Sequence, residues 1–153
     1  MKVSQLKPEF VEFIPEVLKD GTLYISGRYS TATHKCCCGC GEEVVTPLSP
    51  TDWALTMNGD QVTLHPSIGN WSFACRSHYL IRNNRVVWAG SMTKQQIEKG
   101  RKKDRAAKKA YFETVDRSKA STSSASSTAN HQHKPPKPAS ESILSILKRW
   151  WNS

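Results

Sequence analysis

Along residues 1–92 the apolar positions fall in short runs separated by glycine, proline and Asn/Asp turn signals, the pattern of a mainly-β body rather than of helices. Glu9–Ile14 reads as a strand closed by Pro15, and Thr22–Ser26 as a second that Gly27 ends. Val44-Val45-Thr46 is a brief strand stopped by Pro47 and Pro50. Trp53–Met57 and Gln61–His65 flank Asn58-Gly59-Asp60, a strong hairpin signal. Pro66–Trp71 reads as a turn-rich loop, and Tyr79–Arg82 with Arg85–Trp88 form a second hairpin around Asn83-Asn84, residues that accept left-handed backbone angles.

The period changes at Thr93. Thr93-Lys94-Gln95-Gln96 matches a capping box, and an Ala- and Lys-rich run follows. Only Ile97, Ala106, Ala110 and Tyr111 offer an apolar stripe, so the expected helix, 93–117, is mostly solvated. Residues 118–141 have the Ser-, Ala- and Pro-rich composition of a disordered linker. In 142–153 the apolar residues Ile143, Leu144, Ile146, Leu147, Trp150 and Trp151 fall on one face of a short amphipathic helix, the layout of a tethered partner-binding peptide.

Net charge is +9, but residues 94–119 hold ten basic against four acidic side chains, so the β body is nearly neutral. That arm is a means of contacting nucleic acid, the alternative to protein binding. No run is long enough to span a bilayer and the N-terminus lacks a signal-peptide core, so a cytoplasmic location is expected. Five cysteines in a reducing cytosol fit thiolate ligands better than a disulfide framework.

Four of those cysteines, Cys36, Cys37, Cys38 and Cys40, occupy five consecutive positions, and Cys75-Arg76-Ser77-His78 offers two more donors. Tetrahedral zinc needs four nitrogen or sulfur ligands, so these halves are expected to build a structural site that clamps a small core. Spacing alone favours Cys37-x-x-Cys40 for the first half. Glu42 and Glu43 are the only acids beside the cluster on which a metal-dependent hydrolase could draw. Cys75 with His78 as its base is a poor nucleophilic pair on a single turn. There is no phosphate loop, carboxylate pair or metalloprotease helix, which favours a binding module over a self-sufficient enzyme.

The combination of His34-Lys35-Cys36-Cys37-Cys38-Gly39-Cys40-Gly41, Pro66-Ser67-Ile68-Gly69-Asn70-Trp71 and Cys75-Arg76-Ser77-His78-Tyr79 with the following hairpin resembles a family of small bacterial proteins of unknown function. Its members are encoded beside ubiquitin-like conjugation genes in operons linked to anti-phage defence. The likeness covers about residues 9–98. Proline is common in that family at the position of Cys37, which implies Cys36, Cys38 and Cys40 with Cys75 and His78 as the zinc candidates. The resemblance further implies an accessory or adaptor role among ubiquitin-like conjugation components. The expected fold is thus a small zinc-ribbon-like β domain, then a basic helix, a disordered linker and a C-terminal amphipathic helix.

Overall fold

The computed structural model describes residues 1–123, with side chains to Lys119. The segment 142–153, with its proposed partner-binding face, lies outside the described residues, as does most of the expected linker.

The body is mainly β, as the hairpin pattern requires. Its first sheet runs β1-β2-β3-β4, with β1 Lys7–Phe10, β2 Thr22–Ser26, β3 Thr31–Lys35 and β4 Glu43–Pro47. The β1–β2 pairing is parallel and the others antiparallel. Every residue of β2 is buried, and β3 is buried through its three central positions. Its Thr-Ala-Thr-His-Lys sequence shows no apolar run, and no strand is expected there. Buried polar groups therefore need partners, and Thr46 Oγ1 donates to the Ala32 carbonyl at 2.7 Å. The Glu9–Ile14 expectation is out of register: pairing covers Lys7–Phe10, and Phe13 stands exposed in a bend.

The second sheet is a meander of β5 Ala54–Asn58, β6 Gln61–Gly69, β7 His78–Arg82 and β8 Arg85–Trp88. Asn58 pairs with Gln61, leaving Gly59 and Asp60 as the turn, with positive φ at Gly59. At the second hairpin Asn83 and Asn84 both take positive φ, as a type I′ turn demands. Asn84 also ties the turn inward, its Oδ1 accepting from the Val62 amide at 2.7 Å. Strand β6 runs past Pro66 to Gly69, where a loop is expected from the sequence, and its pairing with β7 shifts register between Leu64 and Ile68. Inward residues of both sheets join one core, including Leu23, Ile25, Val62, Leu64, Tyr79 and Ile81.

Helix α1 spans Lys94–Ser123 and opens on the capping box: the Thr93 amide donates to Gln96 Oε1 at 2.8 Å, and the Gln96 amide to Thr93 Oγ1 at 3.2 Å. Residues 1–97 form one compact unit, and the described residues from 98 onward belong to a second. Among the described residues no helix is long and apolar enough to cross a membrane.

Candidate functional site

Two tight turns bring the cysteines together. Between β3 and β4 the Cys36 amide donates to the Glu42 carbonyl at 2.7 Å and the Gly39 amide to the Cys36 carbonyl at 3.0 Å, with Gly39 at φ 83 and Gly41 at φ 86. Gly39 has a further reason to lack a side chain, since a Cβ there would meet the Met1 backbone at 2.5 Å. Between β6 and β7 the Phe73 amide donates to Asn70 and the Arg76 amide to Phe73, delivering Cys75 to the first turn.

The sulfurs of Cys36, Cys38, Cys40 and Cys75 all lie within 4.8 Å of one another. Separations are 3.4 Å for Cys36–Cys38, 3.7 Å for Cys40–Cys75 and 3.9 Å for Cys36–Cys75. Four thiolates about 2.3 Å from a tetrahedral zinc would sit about 3.8 Å apart, so this set fits that ion. Hydrogen bonding works on these thiols as well: burial pulls Cys75 upward, but Ser77, Cys38 and Cys40 outweigh it and bring the thiol down to about 7. Cys37 turns into the core instead, fully buried, and burial pushes its thiol up to about 12. His34 is also internal: its Nε2 lies 2.9 Å from Tyr79 Oη, and burial pushes the imidazole down to about 4. Glu42 and Glu43 stay exposed and outside the group of four.

His78, the fifth metal candidate, is not in that group and makes a different pair. On β7 Tyr79 and Ile81 point into the core, so His78 and Leu80 face the other way. On β6 Ile68 points inward, so Ser67 and Gly69 share the outer face, and Gly69 pairs directly with His78. The register shift just before Ile68 is the kind of irregularity that re-aims a side chain. The result is Ser67 Oγ 3.0 Å from His78 Nε2, with His78 Nδ1 2.8 Å from the Gly90 carbonyl oxygen.

A carbonyl oxygen can only accept, so Nδ1 carries the proton and Nε2 presents its lone pair to the Ser67 hydroxyl. Trp71 walls one side. Its ring packs against His78 at a tilt of 53°, centroids 5.0 Å apart, and lies so close over Gly69 that a Cβ there would meet Nε1 at 2.3 Å. Arg76 covers the indole from 6.0 Å. Both Ser67 and His78 are half-buried, within reach of an incoming chain.

Sequence reasoning passed over Ser67, because Pro66-Ser67-Ile68-Gly69 has turn composition. The available signal was a serine beside a strand end, followed by a histidine opening the next strand.

No curated protein and no solved structure matches the chain. The model of the family described as "Bacterial ubiquitination-like system serine protease (BubE)" matches residues 10–89, which hold all four clustered cysteines, Ser67 and His78. That match spans more than half of the 153 residues, and the chain belongs to this family of bacterial ubiquitination-like systems.

Proposed function

We propose that this protein is a serine peptidase of a bacterial ubiquitination-like system, with Ser67 as nucleophile and His78 as general base. The observation that carries the reading is the relay Ser67 Oγ to His78 Nε2 at 3.0 Å and His78 Nδ1 to the Gly90 oxygen at 2.8 Å. The serine protease description of the family supports it. The reading departs from an adaptor without chemistry of its own, and from a metal-dependent hydrolase.

In the first half-reaction Ser67 Oγ attacks the scissile carbonyl while its proton passes to Nε2. The imidazolium then protonates the leaving amine, which departs and leaves an acyl ester on Ser67. Water, deprotonated by the same Nε2, hydrolyses that ester and restores the hydroxyl. Gly90 takes the orienting role that a carboxylate plays in other triads. It holds the tautomer and the ring but gives the imidazolium a neutral partner, so weaker charge stabilisation is expected.

Zinc, in this reading, is held by Cys36, Cys38, Cys40 and Cys75. It would supply a crosslink between the two turns and, with four thiolates, no open position for reaction. The substrate class is a ubiquitin-like modifier, either its precursor or its conjugates. The test is cleavage of a ubiquitin-like protein carrying a C-terminal extension. Ser67→Ala and His78→Ala are expected to abolish it while leaving the zinc content and melt in place; undiminished cleavage by Ser67→Ala would refute the assignment.

A further inference from the structure

The two members of the relay are joined by a loop that also carries a metal donor, and the loop is closed at its neck by one buried pair. Asn70 follows the last residue of β6 and Ser77 precedes the first residue of β7. The Asn70 amide donates to the Ser77 carbonyl at 2.9 Å, and Asn70 Nδ2 donates to Ser77 Oγ at 2.9 Å. The same Nδ2 lies 3.6 Å from Cys36 Sγ and 3.4 Å from Tyr79 Oη. Ser77 Oγ in turn sits 3.1 Å from Cys36 Sγ and 3.5 Å from Cys75 Sγ. Asn70 and Ser77 are each only 7% exposed, so water is a poor substitute for these bonds.

Ser67 is three residues before Asn70, and His78 directly follows Ser77. Away from the neck, β6 and β7 pair at Leu64 with Ile81; past the register shift they pair again at Ile68 with Tyr79 and at Gly69 with His78, directly beside the neck. The short paired ends that carry the relay are thus bounded on one side by the register shift and on the other by the neck, with the sulfurs packed on it. We propose that Asn70 is a positioning residue for Ser67 and His78, and that with Ser77 it makes the reactivity of Ser67 depend on occupancy of the four-cysteine metal site. The proposal rests on the peptidase reading of the pair. The metal fixes where the Cys36 and Cys75 sulfurs stand, those sulfurs fix the Ser77 hydroxyl, and Asn70 transmits that position to β6. A displacement of about 1 Å at the reacting atoms is enough to cost about 100-fold in rate.

The test follows labelling of Ser67 by a fluorophosphonate probe in the zinc-loaded full chain, with zinc content and folded fraction measured on the same samples. Asn70→Ala keeps all four thiolates, so it is expected to retain one zinc, to label at least about tenfold more slowly per folded molecule, and to lose kcat with little change in KM. Wild type stripped by a chelator should slow likewise and recover on adding zinc. Normal labelling of folded Asn70→Ala, or of folded, zinc-free wild type, overturns the proposal while leaving the peptidase intact. If Asn70→Ala does not fold, Ser77→Ala takes its place with the same expectation. If both variants and the stripped protein lose their fold, the neck supports the whole body rather than the relay, and the proposal is overturned. No labelling of wild type at Ser67 overturns the peptidase reading, and this proposal with it.

Discussion

Gly69→Ala is a small change with a large expected effect, because the added methyl has nowhere to go. Its Cβ would meet Trp71 Nε1 at 2.3 Å, Cε2 at 2.6 Å and Cζ2 at 3.0 Å. Restoring ordinary contact requires the indole to retreat by about 1 Å. A retreat presses the indole on its neighbours, since its ring lies tilted against His78 with centroids 5.0 Å apart and 6.0 Å from the Arg76 guanidinium. Overpacking of this kind costs about 1–3 kcal/mol, which lowers the melting midpoint of a domain this size by at least about 4 °C. If the ring pushes His78 off the Ser67 hydroxyl, cleavage falls by about 100-fold. The assay pairs thermal melts with cleavage kinetics on a ubiquitin-like fusion. A Trp71→Ala, Gly69→Ala double variant supplies the control, because removing the indole makes room for the methyl and the two costs should not add. A Gly69→Ala protein that melts and cleaves like wild type would refute the packing argument, as would strict additivity in the double variant.

Three further outcomes are expected. His34 stays neutral in the fold down to about 4, whereas an unfolded histidine takes up its proton near 6.5. The unfolded state thus binds the extra proton between those values, so stability is full above pH 6.5 and falls by about 3 kcal/mol as pH drops toward 4. Urea melts of wild type and His34→Gln at pH 7 and 5 check this, the variant losing less. Cys75→Ser should lose the metal and melt at a lower temperature, while Cys37→Ala keeps one zinc, because Cys37 is buried in the core and outside the four-sulfur group. Elemental analysis of the two variants decides it; a full zinc equivalent in Cys75→Ser would contradict the donor set. Deleting residues 141–153 should leave the melt of the β body unchanged and weaken capture of the protein partner; binding measurements with and without the segment check it.

The hairpins are legible in the sequence because their turns need particular residues: Gly59 and the Asn83-Asn84 pair all take positive φ. Strand β3 is not legible, because a buried strand made of Thr, Ala and His carries its polar groups on hydrogen bonds that only the neighbouring strands reveal. The same holds for the end of β6, where Pro66 and Gly69 suggest a turn. Proline is tolerated there because the ladder shifts register at that point. The cysteine spacing points to a candidate metal site, but spacing alone would choose Cys37, whose side chain enters the core. His78 looks like a ligand beside Cys75 in one dimension. Three residues on, however, it belongs to a strand whose pleat turns it outward to Ser67. That pairing depends on β6–β7 register, which residue types alone do not specify.

The central claim is that Ser67 becomes covalently bonded to the substrate. Its most direct test is an acid quench during steady-state cleavage of a ubiquitin-like fusion, followed by mass mapping of any acyl adduct. An ester on Ser67 that is absent from His78→Ala is the predicted result. A thioester on Cys75, or cleavage that proceeds with no acyl adduct on the chain, would contradict it.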